Sequence, residues 1–245
     1  DGIYIIGDTV LIEVKFSEEI EFSGDLHIEL EVGIDSVGVG KYISGYGTSL
    51  FLFEYIVERE HESLDLEYAE INSLVSSDGI VTDLSGNPAD LFLPVKGSSN
   101  SLSGNKDITI DGVQPKVNFV TSSMPDGHYG INDSLDIIIR FDDKVVVSGF
   151  PSLILETGDY DRSATYLRGS GSNTLWFYYN VEPGDYSDKL DYIDEYAIQL
   201  NNAYIRDLND NDSDLFLPIP GEVSSLGNSN HIIIDTRSPE VISVN

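Results

Sequence analysis

Three acidic positions come in pairs. Asp8 and Asp133, Glu58 and Glu182, and Asp111 and Asp235 each keep a carboxylate where the second half of the chain repeats the first. Asp1 and Asp126 open the two halves with the same Asp-Gly dipeptide. Carboxylates gathered at one end of a domain repel one another unless a cation sits among them, and calcium, which takes about six to eight oxygens in irregular geometry, suits ligands drawn from loops. The metal set so defined is Asp1, Asp8, Glu58 and Asp111 in the first half and Asp126, Asp133, Glu182 and Asp235 in the second. The same residues also make ordinary turns, because Asp-Gly is a turn dipeptide and Asp bonds its own backbone. Both readings stand on the sequence alone.

Trp176 and Tyr178 are a second candidate. They alternate with Leu175, Phe177 and Tyr179 along one apolar run, so they point away from the core and could stack on a sugar or a partner if that face is solvated. Their counterparts, Leu52 and Glu54, do not repeat the feature, and a covered position between strands explains the two rings as well. Catalysis has little support. His27, His61, His128 and His231 have no counterparts of their own kind, and no nucleophile elbow, zinc-binding helix or phosphate-cradling loop occurs. Paired carboxylates are uninformative in a chain this acidic, so the expectation is a protein that is not an enzyme.

The elements that must carry these residues are strands. Val10 to Phe16 and Leu135 to Phe141, Leu26 to Leu30 and Leu153 to Leu155, Lys41 to Ile43 and Ala164 to Leu167 all alternate with period two. Leu50 to Val57 and Thr174 to Val181 are the strongest, with Phe51, Phe53, Tyr55 and Val57 on one face. Further strands are expected near Ser73 to Val81 and Ala197 to Ile205, and closing strands at Asp107 to Ile110 and His231 to Ile234. No sustained helical period exists; the best case, Ser63 to Val75, reads as a crossover with at most one helical turn. About seven short strands in some 120 residues, separated by turn residues, predict an all-β fold of two immunoglobulin-like antiparallel β-sandwiches in series.

The repeat sets the boundaries. Tyr42 to Ile110 and Tyr166 to Ile234 align without a gap, and one residue is gained or lost in the loop after Glu31. The junction stretch Ile-Asp-Gly-Val-Gln-Pro-Lys-Val at Ile110 to Val117 returns as Ile-Asp-Thr-Arg-Ser-Pro-Glu-Val at Ile234 to Val241. Residues 1–113 therefore read as one repeat, 114–237 as a second, and 238–245 as the first strand of a third. The first repeat starts after the counterpart of Pro115 to Ser122. A window cut from a longer array is one expectation, and exchange of Pro239 to Val244 into a neighbouring molecule is another.

Composition narrows the partners. With 13 Lys plus Arg against 43 Asp plus Glu, the formal charge is −30, which argues against nucleic acid and anionic membrane. No apolar run is long enough to insert into a membrane. The chain has no cysteine, while 14 Tyr and 10 Phe supply a core that a disordered acidic tail would lack.

Asp-Gly-x-Tyr-x-x-x-Asp at Asp1 to Asp8 and Asp126 to Asp133, the run Thr165 to Phe177, Leu-Asp-Tyr at Leu190 to Tyr192, Asp-Leu-Ser-Gly-Asn at Asp83 to Asn87 and Ile-Asp-Thr-x-x-Pro-x-Val at Ile234 to Val241 together resemble the bacterial Ig-like repeats of very large secreted adhesins. The resemblance covers the whole chain. It implies an extracellular, non-catalytic stalk or adhesion module, with calcium between repeats, partnered by neighbouring repeats of the same chain or filament and by cell-surface glycans or proteins. Asp207-Leu-Asn-Asp-Asn211 is similar to the cadherin calcium motif, which implies ligation by Asp207, Asn209 and Asn211; it departs from cadherins in preceding the last strand instead of forming a linker. From another class, a carbohydrate-binding module using Trp176 and Tyr178 is the alternative.

Overall fold

Alternation of apolar and polar residues drives nearly all of the structure. The computed structural model describes residues 1–243 and is all-β, with two short helical turns. The chain divides into two compact units, residues 1–113 and 114–245.

Unit 1 runs β1 (Gly2–Ile5), β2 (Thr9–Phe22), β3 (Asp25–Glu31), β4 (Val37–Ser44), β5 (Thr48–Ile56), β6 (Glu62–Ser63), β7 (Glu67–Tyr68), β8 (Leu74–Ser77), β9 (Val81–Asp83), α1 (Leu102–Asn105) and β10 (Ile108–Asp111). A seven-stranded antiparallel sheet has the order β7-β3-β4-β5-β2-β9, with β8 also on β3. A small sheet, β1-β10-β6, holds the parallel pair: Gly2 faces Ile108 and Ile5 faces Asp111. Ile12, Phe51, Phe53 and Tyr55 from the large sheet and Ile108 and Ile110 from the small one are buried in a single core. Each such side chain contributes about 1.5–3 kcal/mol on leaving water.

Unit 2 runs β11 (Val117–Ser122), β12 (Gly127–Tyr129), β13 (Ser134–Ser148), β14 (Ser152–Leu155), β15 (Arg162–Arg168), β16 (Ser172–Asn180), β17 (Tyr186–Ser187), β18 (Ile198–Gln199), β19 (Tyr204–Arg206), α2 (Leu226–Ser229) and β20 (Ile232–Asp235). Its large sheet is β11-β13-β16-β15-β14-β18 with β19 on β13, and its small sheet is β12-β20-β17, again with the first pair parallel. The two units thus share strand order, except that β11 has no counterpart strand in unit 1 and that β7 is matched in unit 2 only by the isolated bridge between Leu155 and Tyr192. The core joins Ile137, Ile139, Leu175 and Phe177 to Ile232 and Ile234.

Turn chemistry is shared as well. Gly45 (φ +118°) and Gly169 (φ +121°) open the hairpins β4–β5 and β15–β16, and a Cβ there would meet the Leu50 or Thr174 carbonyl oxygen at 2.2 or 2.1 Å. Only glycine fits. The expected strands at Ser73 to Val81 and Ala197 to Ile205 are each broken in two. Asp78 (φ 56°), and Asn201 (φ 52°) with Asn202 (φ 65°), turn the chain through left-handed conformations, which such short polar residues tolerate. The helical turns lie at Leu102 and Leu226 and not in Ser63 to Val75, where β7 forms instead; Ser101 and Ser225 cap them by accepting from the N–H groups of Gly104 and Asn228. Neither is long and apolar enough to cross a membrane. Residues 236–243 form no ladder, and Val244, the end of the expected strand from Pro239, lies outside the described residues.

Candidate functional site

The pairing of β1 with β10 decides where the acids fall. Asp8 follows β1 and accepts from the Ile5 N–H (3.0 Å), and Asp133 closes the matching turn through the Gly130 N–H (2.8 Å). The chain after β5 joins them, since the Val57 and Val181 N–H groups donate to the carbonyls of Asp8 and Asp133. Asp111, at the end of β10, accepts from the Val113 N–H (3.4 Å), and Asp235 from the backbone N–H (3.0 Å) and Nε (3.3 Å) of Arg237. Those bonds hold the Asp235 carboxyl below the ordinary aspartate range. Asp8, Glu58 and Asp111 therefore share one end of unit 1, and Asp133, Glu182 and Asp235 one end of unit 2.

Asp1 and Asp126 do not join them. Their carboxylates accept from the N–H groups of Asp107 (3.0 Å) and His231 (2.8 Å), at the other end of the small sheet, roughly 13 Å of strand away at about 3.3 Å per residue. The sequence pattern places all four acids of each half together because Asp-Gly is a turn dipeptide, whereas Gly2–Ile5 and Gly127–Tyr129 form short strands that carry Asp1 and Asp126 to the far end of the small sheet. Among the described residues no three His, Asp or Glu side chains converge to hold a metal ion.

The Asp207 loop is an Asx turn. Asp207 Oδ1 accepts from the N–H groups of Asn209 and Asn211 (both 2.8 Å), and Oδ2 from Asn211 Nδ2 (3.0 Å). Unit 1 builds the same loop without the cadherin-like letters: Asp83 accepts from Ser85 N and Asn87 N (both 2.8 Å) and from Asn87 Nδ2 (2.6 Å). Asn87, above all through its side chain, holds the Asp83 carboxyl below its usual range. The shared chemistry is loop closure.

A second carboxylate recurs in the interior. Glu67 accepts from the backbone of Leu102 (3.2 Å) and Ser103 (3.4 Å) and from the Ser103 hydroxyl (2.8 Å), tying β7 to α1. Burial pushes its carboxyl up, and the hydrogen bonds from Ser101, Ser103, Gly97 and Tyr68 together outweigh that and leave it lowered. Asp191 holds the corresponding loop of unit 2 through Gly221 N (2.9 Å). The next residues, Tyr68 and Tyr192, donate their hydroxyls to the carbonyls of Pro94 and Pro218.

The two units diverge most where a tyrosine hydroxyl is capped. In unit 1 Tyr55 bonds His61 Nδ1 (2.8 Å). In unit 2 the matching Tyr179 donates to Asp185 (2.7 Å), which is buried and also accepts from Glu182 N (2.8 Å) and Arg162 Nε (2.8 Å). Arg162 reaches on to Glu182 (2.9 Å), so this expected metal ligand sits in an ion pair. Burial, then the bond to Asp185, pushes the Tyr179 hydroxyl far above its usual value. Arg162 takes the place of Gly38, where a Cβ would stand 2.8 Å from the Tyr55 ring.

Arg162, Glu182 and Tyr178 line an open polar recess of about 450 Å³ with Asp161, Thr165 and Asn180. Tyr178 is 37 % exposed and donates to Asn180 Oδ1 (2.6 Å). Trp176 lies on the same outward face, half-buried, with the Arg168 guanidinium 4.1 Å from its ring centre. One ring is thus covered by a cation and the other is open. Asp185 stands among the acids that the sequence places at this pole of the second repeat, but Arg162 was not singled out, and the available signal was the departure of both from the repeat, Gly38 and His61. Comparison with protein-family models, curated proteins and solved structures finds no match for this chain.

Proposed function

We propose that this chain is a non-enzymatic, load-bearing segment of an extracellular surface protein, two immunoglobulin-like repeats that extend and adhere. The observation that carries the reading is the parallel pairing of β1 with β10 and of β12 with β20. In a parallel pair the chain enters at one end of the small sheet and leaves at the other. Tension between the chain ends then loads the ladder in shear, so its hydrogen bonds resist together and not one at a time. The charge of −30 and the cores built twice on one plan support the same reading.

Pulling the chain by its two ends in single-molecule force spectroscopy tests this. Two high-force unfolding events are expected, and Tyr4→Pro, which removes a donor from β1, should lower the force of one. Low-force events that the substitution leaves unchanged would end the load-bearing reading, and a force that rises with added calcium would move the load path to Asp8, Glu58 and Asp111.

The open Tyr178 ring beside the polar recess favours a second reading, recognition of a glycan at β15–β16. A glycan array probed with the chain and with Tyr178→Ala decides it, since binding that the variant abolishes would place the sugar there.

A further inference from the structure

We propose that the recess beside Tyr178 in unit 2 binds a sugar that carries a free amine and discriminates against acetylated and acidic sugars. The inference rests on the glycan reading above and names the sugar. The internal repeat shows that the lining is not there for the fold. Asp161, Ser163 and Thr165, before and on β15, and Tyr178 and Asn180 on β16 stand where unit 1 has Val37, Val39 and Lys41 on β4 and Glu54 and Ile56 on β5. The pairing is the same in both, Thr165 opposite Tyr178 and Lys41 opposite Glu54. The two strands therefore form without any of these side chains. What the side chains add is a polar recess of about 450 Å³, within the range of small-ligand sites.

The lining suits a hydroxylated ring. Tyr178 and Ser134 both donate to Asn180 Oδ1 (2.6 and 2.7 Å), so the phenol is held in place while its ring stays open to solvent as a stacking face. With Oδ1 taken, Asn180 Nδ2 is the group left to donate to a sugar hydroxyl. The exposed hydroxyls of Ser163 and Thr165 can each donate and accept.

Charge selects among sugars. Among the described residues that line the recess, Arg162 is the one cation, and it is spent: its Nε bonds the buried Asp185 (2.8 Å) and its Nη1 bonds Glu182 (2.9 Å). Asp185 alone balances the guanidinium, so Glu182 and Asp161 leave the recess with an excess of two carboxylates. Asp161 is exposed, and its carboxylate meets no donor among the described residues. An acidic sugar is repelled by that excess, and an acetamide leaves it unmatched. An ammonium brings three donors and a charge, which the carboxylates and the Tyr178 ring face both attract.

An NMR titration of the isotope-labelled full chain with the glucosamine disaccharide tests this, at about pH 6, where the amine and the carboxylates are all charged. Backbone amides between 161 and 182 should shift, and those of unit 1 should not. The N-acetylated disaccharide should bind about tenfold more weakly, the size of one ion pair at a wet surface. Asp161→Asn should close that gap, while Glu13→Gln, which removes an exposed acid of unit 1, should leave it. An acetylated sugar bound as tightly as the amine, or a gap that survives Asp161→Asn, would overturn the inference and leave the glycan reading standing. Spermidine shifting the same amides with equal affinity, or no shift with any sugar, would end both.

Discussion

The Tyr179 hydroxyl donates to the Asp185 carboxylate at 2.7 Å, in the place where Tyr55 meets His61 at 2.8 Å in unit 1. One buried tyrosine is thus satisfied by an anion and the other by an imidazole. The anion needs Arg162; the imidazole needs nothing from position 38 and leaves room only for glycine there. Asp185→Ala strands the Tyr179 hydroxyl and removes the Arg162 partner, a cost of about 2–4 kcal/mol. Transplanting the unit 1 solution, Asp185→His with Arg162→Gly, should recover at least half of that loss. Urea unfolding of the three proteins checks it, and a double variant no better than Asp185→Ala would show that the two caps are not interchangeable.

Glu67 gives unit 1 an acid-sensitive tie. Its carboxyl is lowered in the folded chain, so the unfolded chain binds the proton more readily, and the stabilisation is complete above the ordinary glutamate range and drains as the pH falls through the lowered value. Glu67→Gln should cost about 1–2 kcal/mol at neutral pH and converge on the parent in acid. Melting curves from about pH 6 down to about pH 3 measure the difference; a gap that stays constant across the range would mean that the carboxylate charge contributes nothing.

How much of this was legible in the sequence differs by layer. Period-two alternation located the first half of each longest strand, because side chains on one face of a sheet must match the core, and Phe51, Phe53 and Tyr55 are buried as their spacing requires. β2 and β13 run on past the expected ends at Phe16 and Phe141, to Phe22 and Ser148. The first strand of each small sheet escaped, since Gly2–Ile5 and Gly127–Tyr129 are short and gain their place from partners more than 100 residues away. That omission moved Asp1 and Asp126 to the wrong end. The Asp207 loop shows another limit of local letters: they match a calcium motif, and the same backbone also closes around Asp83 with different letters. Arg162 and Asp185 depend on a pairing across 23 residues that no local pattern encodes, and only comparison of the repeats points to it.

The Asx loops separate turn closure from cation binding. Asp83→Ala and Asp207→Ala each lose backbone-directed bonds and should cost about 1 kcal/mol. Since those oxygens already face N–H groups, the loss should be the same in EDTA and in millimolar calcium. Differential scanning fluorimetry under both conditions reads it, and a loss that grows with calcium would assign a cation to Asp207, Asn209 and Asn211.

Trp176 reports on its own cover. It is the only tryptophan in the chain, and the Arg168 guanidinium sits 4.1 Å from its ring centre. The contact is worth about 0.5–1 kcal/mol at an exposed face, small enough that Arg168→Ala should fold normally. Removing the guanidinium uncovers the ring, so acrylamide should quench its emission more steeply and the maximum should shift to the red. If the spectrum is unchanged, neighbouring strand residues do the covering and Trp176 is closed to any ligand. If the ring opens, glycan binding should strengthen in Arg168→Ala only where the sugar platform extends from Tyr178 to Trp176, and this sets the length of the platform in one measurement.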